Sequence, residues 1–155
     1  MLDQSPFVIA SIASQQTHAL RQQLLRPHQS LAEMAYPGDD DSTSRHFGAH
    51  IGDGPLLGIV SIYCQPHATQ PGQPAWQLRA MATAGEVRGL GLGRQLLNAA
   101  EAYARSVNPE GCWLWANARE SALGFYQACG YRVLGELFEV PGVGPHRIIE
   151  KWLAK

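Results

Sequence analysis

The chain has 155 residues, of which 45% are hydrophobic and 16% charged, and its formal net charge is −1. This length and composition predict a single domain with a proper hydrophobic core, spanning residues 1–155. The near-neutral charge argues against a general nucleic-acid partner, and the lack of any run of about 18 apolar residues disfavours a membrane-spanning helix.

The first half of the chain predicts strands alternating with helices. Pro27 ends an amphipathic helix because proline cannot continue it, and the turn sequence at 52–55 joins two strands into an antiparallel hairpin. In chain order, the predicted elements are a strand at 7–10, a helix at 15–26, a short helix at 31–34, a turn at 36–41, and strands at 45–51 and 57–64.

The second half follows a proline-rich loop at 65–75. In the strand after this loop, apolar residues alternate with polar ones. From Leu92 onward the apolar residues recur at helical spacing, with Glu101 on the polar face of the predicted helix. The next strand is apolar throughout, which is typical of a strand buried on both faces and paired in parallel. In order, the predicted elements are a strand at 76–83, a helix from Leu92, a strand at 112–116, a helix ended by Gly130, and strands at 131–134 and 147–153 joined by an irregular stretch at 138–146.

The three cysteines, Cys64, Cys112 and Cys129, are an odd number in apolar surroundings, without the spacing of metal ligands. They are interpreted as reduced core residues, which predicts a cytoplasmic protein without a metal site. Residues 1–4 have neither the basic nor the apolar character of a secretory leader.

The most informative stretch is the glycine turn, residues 88–93, which lies between a predicted strand and the long helix. Glycines at 89, 91 and 93 leave backbone N–H groups open to an anion, and the helix directs its positive dipole end at the same place. Arg88 and Arg94 flank the turn and can add charge-assisted hydrogen bonds. The alternative interpretation is a turn that only joins a strand to a helix.

Two common phosphate-binding classes are excluded. A P-loop needs a lysine beside the glycines, whereas the only lysines are Lys151 and Lys155. A dinucleotide fold needs a third glycine where Arg94 stands, and a carboxylate at the end of the next strand, which ends instead at residues 115–117 without one.

With both classes excluded, residues 88–93 match at every specified position the Arg/Gln-x-x-Gly-x-Gly/Ala motif of the GNAT superfamily of acyl-CoA-dependent N-acyltransferases. A second segment also resembles that superfamily: Asn117, followed by Ala-x-x-Phe-Tyr-x-x-x-Gly-Tyr at 122–131. The resemblance extends over nearly the whole chain. The segments at 25–27, 37–41 and 141–146 are similar to a bacterial branch of small members.

The resemblance implies an α/β fold with a twisted mixed sheet of about seven strands, about four helices, and splayed central parallel strands at 76–83 and 112–116. It implies acetyl-CoA as co-substrate. Asn117 would bond the cofactor arm, although a helix N-cap is an equally good interpretation. The remaining implied cofactor-binding residues are Met81, Ala82 and Thr83 for pantetheine, and the backbone of Arg88, Gly89, Leu90, Gly91, Leu92, Gly93 and Arg94 for the pyrophosphate.

For catalysis, the resemblance implies that Tyr126 is the general acid that protonates the departing thiolate, whereas core packing is the plain alternative. A backbone N–H near Met81 or Ala82 would stabilise the oxyanion. A general base is needed because an amine with a pKa near 10 must lose a proton. The candidates are Glu139, His146, Glu86 and His46. For Glu139 and His146, a solvated surface group is the plain alternative. Acidic residues 39–41 could attract a cationic amine or form a solvated turn.

The resulting hypothesis is an N-acetyltransferase that transfers an acetyl group from acetyl-CoA to a primary amine by direct attack in a ternary complex, without a metal. The acceptor would be a small molecule or a peptide, and a homodimer is compatible with the superfamily. Two alternatives stay open: a non-catalytic acyl-CoA-binding or sensor module, and a nucleotide-binding regulator.

Overall fold

The computed structural model describes residues 5–155, and residues 1–4, which entered the expectation of no secretory leader, lie outside that range. Seven strands within the described range form one mixed sheet in the order β1-β2-β3-β4-β5-β7-β6. The predicted mixed α/β fold is confirmed. The strands are β1 (Phe7–Ile12), β2 (Arg45–Ile51), β3 (Gly58–Tyr63), β4 (Ala75–Thr83), β5 (Cys112–Arg119), β6 (Arg132–Val140) and β7 (Gly144–Leu153).

The helical segments also follow the predicted order. The first combines a 3₁₀ turn, one α-helical turn and a π turn, and it ends just before Pro27. No helix in the described part of the chain is long and apolar enough to cross a membrane. The bounds are 3₁₀ Ser14–Thr17, α1 (His18–Leu20), π Arg21–Leu25, 3₁₀ Leu31–Met34, 3₁₀ Gly85–Val87, α2 (Leu92–Val107), 3₁₀ Glu120–Ala122 and α3 (Leu123–Ala128).

The chain divides into two compact units, each described here by itself. Unit 1 comprises the chain up to Ile62 together with Ala80–Ala100. Unit 2 comprises Tyr63–Arg79 and Glu101–Lys155. Strand β4 and helix α2 therefore each contribute residues to both units.

In unit 1, β2 pairs antiparallel with both β1 and β3, which confirms the predicted hairpin. Leu20, Ile59 and Ala82 form a buried core cluster. Gly58, at the start of β3, permits a close approach of α2: a Cβ there would lie 2.9 Å from Leu96 Cδ1. The absent side chain thus allows the first turns of α2 to pack on β3.

A buried ion pair lies beneath the acidic turn of unit 1. Arg21 is fully buried and donates to both carboxylate oxygens of Asp39, at 2.8 and 3.0 Å, and also to the carbonyl oxygen of Met34 and the hydroxyl of Ser61. The π turn that carries Arg21 is thereby tied to the following loop. Asp39 is neutralised inside the protein, so the interpretation of residues 39–41 as a wholly solvated turn is wrong at this residue.

In unit 2, β5 pairs in parallel with β4, as predicted, and antiparallel with β7. The parallel register joins Ala75 with Trp113 and Gln77 with Trp115. It ends there, although β5 continues to Arg119 and keeps its pairing with β7 throughout. Beyond Trp115, β5 is therefore hydrogen-bonded through the β7 edge.

The last hairpin is longer than predicted. The stretch expected to be irregular, 138–146, is mostly strand: Phe138 pairs with His146 and Glu139 with Pro145. Only residues 141–143 form the turn, because Gly142 and Gly144 adopt positive φ and confine the reversal. A bulge at Gly135, with φ of 66°, interrupts the pairing earlier.

Two side chains differ in burial from the sequence-based prediction. Glu101, placed on the polar face of the helix by its spacing, is 4% exposed because the Tyr131 hydroxyl and the Lys151 ammonium both donate to its carboxylate. Cys64, expected in the core, is exposed just after β3. All three cysteines are thiols rather than disulfides.

Candidate functional site

The glycine turn adopts two left-handed residues in close succession. Residues 87–90 form a type II turn, in which the Leu90 N–H donates to the Val87 carbonyl at 3.3 Å. Arg88 has φ −63° and ψ 143°, and Gly89 has φ 81°. Gly91 repeats the positive value, at 82°. This conformation requires glycine at both positions because a β-carbon disfavours left-handed φ.

The space in front of the turn is open. A Cβ placed on Gly89 or Gly91 would meet no atom within 4 Å. Val87 and Leu92, which are 5% and 1% exposed, anchor the two ends of the turn in the core, whereas Leu90 between them is 60% exposed. The main chain is therefore held at the surface with its side chains out of the way.

Helix α2 begins directly behind this turn. Its first helical hydrogen bond runs from the Gln95 N–H to the Gly91 carbonyl at 3.2 Å, so the N–H groups of Leu92 and Gly93 precede the first intrahelical donor and have no acceptor within the helix. No acidic residue occupies the first turn, and the exposed Arg88 and Arg94 add positive charge. These residues fit a diphosphate group, which needs N–H donors, positive potential and room.

The strand that leads into the turn follows the predicted alternation and carries one left-handed residue. Positions 76, 78 and 82 of β4 are buried, whereas the odd-numbered positions from 77 to 83 are partly exposed. Ala80, which is also partly exposed, interrupts this pattern. It has φ 55° and is the only non-glycine residue between 5 and 155 with positive φ.

Tyr126 lies in unit 2, on α3, and is 6% exposed. Its ring makes edge-to-face contacts with Phe125 at 5.1 Å and Tyr131 at 5.6 Å between centroids. Burial raises the pKa of its hydroxyl, with a smaller contribution from Cys129. Within residues 5–155 the hydroxyl forms no hydrogen bond, so it is a neutral donor at physiological pH.

A buried polar network supports that ring. The Tyr131 N–H donates to the Tyr126 carbonyl at 3.0 Å, and the Tyr131 hydroxyl donates to Glu101 at 2.8 Å. Lys151 Nζ donates to the same carboxylate and to the Cys129 carbonyl. Burial and the adjacent Glu101 carboxylate raise the pKa of Tyr131, which keeps this hydroxyl a donor. The network fixes the end of α3.

Asn117 lies inside β5, paired with Ile148, and its side chain is exposed. The N-cap position of the following 3₁₀ turn is Arg119, and that of α3 is Ala122. The interpretation of Asn117 as a helix N-cap is therefore wrong, because the strand continues two residues past it. Its amide is available to a ligand on that face of β5.

Two of the four candidate bases, Glu139 and His146, lie on opposite faces of the β6–β7 hairpin. Because directly opposed residues share a face, His146 lies with Phe138 while Glu139 lies with Pro145 on the other face of the hairpin. His146 is buried, with Nδ1 2.8 Å from the Gly144 carbonyl. Glu139 is exposed.

The other two candidates lie in unit 1. Glu86 is exposed in the 3₁₀ turn before the glycine turn. Both ring nitrogens of His46 are engaged, with the Ser61 hydroxyl at 2.7 Å and the Asp39 carbonyl at 2.9 Å. His46 therefore has no ring nitrogen to spare for a proton from substrate.

The sequence-based reasoning missed a buried histidine–carboxylate pair. His67, in the proline-rich loop at 65–75, is 2% exposed, and its Nε2 lies 2.9 Å from Glu150 Oε1. The two residues are 83 positions apart, so no local pattern could have found the pair. Among the described residues, no group of three or more His, Cys, Asp or Glu side chains is arranged to hold a metal ion.

Two comparisons with known proteins identify the family of the chain. The model of the GNAT acetyltransferase domain matches residues 42–133. The chain is 33% identical over 145 residues to an uncharacterized N-acetyltransferase of Bacillus subtilis strain 168, covering 94% of this chain and 95% of that protein.

Solved structures share the fold. A Lactobacillus plantarum protein, provisionally named an N-acetyltransferase, has a TM-score of 0.74 and 24% identity, with 96% of this chain and 99% of that chain covered. An aminoglycoside 6′-N-acetyltransferase complexed with coenzyme A has a TM-score of 0.66 and 14% identity, with 94% and 96% covered. A spermidine N-acetyltransferase chimera from Vibrio cholerae and human sequences has a TM-score of 0.67 and 18% identity, with 94% and 95% covered. From the family match and the B. subtilis relative, the chain belongs to the GNAT family and is an acyl-CoA-dependent N-acetyltransferase.

Proposed function

We propose that this enzyme transfers the acetyl group of acetyl-CoA to a primary amine by direct attack in a ternary complex. The observation that carries the proposal is the glycine turn: two left-handed glycines, an open space in front of them, and a helix N-terminus without an acidic residue. A diphosphate is the chemical group that such a turn suits best. Coenzyme A carries one.

The proposed donor site assigns roles to main-chain and side-chain groups. Backbone N–H groups at residues 88–94 bind the pyrophosphate, and Arg88 and Arg94 add positive charge at its rim. Backbone groups at 81–83 and the exposed amide of Asn117 bind the pantetheine arm. When bound, acetyl-CoA supplies an acetyl group activated as a thioester. The left-handed Ala80 supports this assignment, since strain of this kind clusters at functional sites.

Tyr126 is proposed to deliver a proton to the departing thiolate. Its raised pKa keeps the phenol protonated across the neutral and mildly alkaline range, and no described residue competes for that proton. The surrounding rings of Phe125 and Tyr131 exclude water and hold the ring orientation. A backbone N–H at Met81 or Ala82 is proposed to stabilise the oxyanion.

The acceptor is proposed to be a small-molecule or peptide amine. Spermidine and aminoglycoside N-acetyltransferases share the fold, which supports small amines as the first compounds to test. The pairing of Asp39 with Arg21 removes one of the three acidic residues that could have attracted a cationic acceptor. A polyamine is therefore not favoured on the charge of residues 39–41 alone.

The test is free-thiol release from acetyl-CoA across a panel of primary amines, combined with calorimetry using coenzyme A. For Tyr126→Phe we expect the Kd for coenzyme A to be unchanged while kcat falls about 100-fold, the lower end of general-acid contributions. Tyr103→Phe, which removes the hydroxyl of a tyrosine packed against Trp76, is the control. Binding without thiol release by any amine would favour the sensor alternative, and no binding at millimolar coenzyme A would end the proposal.

Organisation and compartment remain part of this proposal. We propose one domain over residues 1–155, a homodimer, and a reducing compartment such as the cytoplasm, which the three thiols support. Light scattering of the full chain gives the oligomeric state directly. A single cooperative unfolding transition is the result expected if the two compact units unfold together.

A further inference from the structure

His67 has a defined pattern of protonation. Its Nε2 lies 2.9 Å from Glu150 Oε1 and 3.0 Å from the Thr69 hydroxyl. An ionised carboxylate only accepts hydrogen bonds, so Nε2 must carry the proton that it donates to Glu150. In a neutral imidazole the other nitrogen, Nδ1, then holds the lone pair.

That second nitrogen is open. Within residues 5–155, His67 Nδ1 forms no hydrogen bond. It keeps a small accessible area although the residue as a whole is 2% exposed. A proton can arrive there through one bound water.

The imidazole ring of His67 is held in a defined position against β5. His67 stacks on Trp115 with 5.4 Å between centroids and 8° between planes. Trp115 pairs with Gln77 at the last position of the parallel register between β5 and β4. Asn117 is the next residue on the same face of β5, about 7 Å further along. The parallel pairing ends beside this imidazole although β5 continues to Arg119, so among the described residues the backbone of β5 beyond Trp115 has no hydrogen-bonded partner on its β4 side.

Glu150 is held ionised beside it. Desolvation acts to raise its pKa, but hydrogen bonds from Arg132 and His67 outweigh that effect, and the pKa is lowered from its ordinary value. Arg132 donates to the second carboxylate oxygen, Oε2. The charge that would stabilise an imidazolium is thus already in place before any proton moves.

We propose that His67 Nδ1 accepts the proton of the acceptor amine, with Glu150 as its positioning residue. This inference rests on the proposed function. An N–H bond of the ammonium breaks, an H–Nδ1 bond forms, and the electron pair stays on the amine nitrogen. That nitrogen bonds to the thioester carbonyl carbon; the C–S bond then breaks, its electron pair stays on sulfur, and Tyr126 protonates the thiolate. The second amine proton restores Tyr126, and His67 releases its proton to solvent.

The groups facing His67 limit what else could explain a titration there. They are Glu150 from β7, Thr69 from its own loop, and the rings of Trp113 and Trp115 from β5. Arg132 of β6 acts through Glu150. Of these, Glu150 and Arg132 are the other ionisable groups, and both belong to the network that holds the imidazole.

The kinetic test is the pH dependence of kcat/KM in thiol release. The wild type should show an acidic limb, because a protonated base cannot accept the proton of the amine. For His67→Gln, which can still donate to Glu150, we expect kcat/KM to fall about 100-fold with loss of that limb. Glu150→Gln should move the limb to lower pH, because the imidazolium loses its carboxylate. His28→Gln, at an exposed histidine of the first unit, should change nothing.

An unchanged limb in His67→Gln, or no such limb in the wild type, would overturn the inference. A merely structural role would lower the melting temperature of His67→Gln without altering the pH profile. If no amine releases thiol, the proposed function itself has failed. Long-range ¹H–¹⁵N NMR of the wild type then still tests the inference, because it reports the tautomer of His67. The inference requires the Nε2–H tautomer at neutral pH, and a proton on Nδ1 contradicts it.

Discussion

The glycine turn of unit 1 and two side chains of unit 2, Tyr126 and His67, present reactive groups in opposite ways. The turn exposes main chain: its two left-handed glycines carry no side chain, and the side chains that matter, Val87 and Leu92, only anchor it. Unit 2 instead presents buried side chains, and their partners fix where the proton is held. Glu101 accepts a hydrogen bond from Tyr131, and Glu150 accepts one from His67.

This difference predicts different responses to mutation. A main-chain site depends on backbone conformation, so it should fail only when a substitution changes φ or fills the open space. A side-chain site depends on buried charged groups that are paired with each other. Removing one member of a pair should therefore lower folding stability as well as activity. Four substitutions test this contrast, from the largest expected effect to the smallest.

Glu101→Ala should be the most disruptive. It removes the carboxylate that accepts from Tyr131 and Lys151 and leaves both donors buried or half-buried without it. We expect the free energy of unfolding in urea to fall by about 3 kcal/mol. Glu110→Ala is the matched control, because its ion pair with Lys155 is exposed and should contribute nothing measurable. Equal losses in the two variants would contradict the contrast.

Gly91→Val should act on binding rather than folding. A β-branched residue at φ 82° strains the turn, and its side chain occupies the open space in front of it. Loss of about two charge-assisted hydrogen bonds predicts a Kd for coenzyme A about 100-fold weaker by calorimetry. Gly85→Ala, in the same surface segment but without positive φ or a crowded Cβ, should bind normally. Normal binding by Gly91→Val would refute main-chain recognition here.

Gly58→Ala tests how the core positions the turn. Its Cβ would lie 2.9 Å from Leu96 Cδ1, 3.0 Å from Leu92 Cδ2 and 3.3 Å from the Ala82 carbonyl. Overpacking predicts a loss of about 1–2 kcal/mol in folding free energy, and displacement of α2 should weaken coenzyme A binding several-fold. Gly124→Ala, where a Cβ meets nothing within 4 Å, should leave both measurements unchanged. A stabilised Gly58→Ala would show that the helix does not depend on this close approach.

The smallest effect concerns Glu150 and pH. Its folded pKa is lowered, so its contribution to stability is present above the unfolded value of about 4.3 and is lost as pH falls through the folded value. Glu150→Gln should therefore be about 1 kcal/mol less stable than wild type at pH 7, with the difference shrinking below pH 4. Chemical denaturation across this range measures it. A difference that grows on acidification would mean that the carboxylate is not stabilised by Arg132 and His67.

The elements that depend on local sequence were predicted closely. The hairpin of β2 and β3, the start of α2 at Leu92, and the end of α3 before Gly130 all follow from turn residues and periodicity within a few positions. The full length of the β6–β7 hairpin was not predicted, because Gly135, Gly142 and Pro145 resemble loop sequence and only 131–134 and 147–153 were predicted as strands. The additional residues are strand because β6 and β7 pair with each other, and not because of their own conformational preferences.

Of the candidate site, the position of the glycine turn could be predicted, and the assignment of the base could not. The sequence predicted that β5 ends just before Asn117, whereas the strand continues through Asn117 to Arg119. His67 carries no local signal, and its carboxylate partner is 83 residues away. The roles given to Tyr126, Glu139 and His146 remain predictions.

The sequence by itself determined the family and the location of the glycine turn, because a glycine motif between a strand and a helix sets backbone conformation over a few neighbouring residues. Only the tertiary structure decided which polar side chains are buried, with which partners, and which nitrogen of His67 is left open. The reason is physical. A buried charge is tolerated only with a partner, and the chain brings Arg21 to Asp39, Glu101 to Lys151 and His67 to Glu150 from 18, 50 and 83 residues apart.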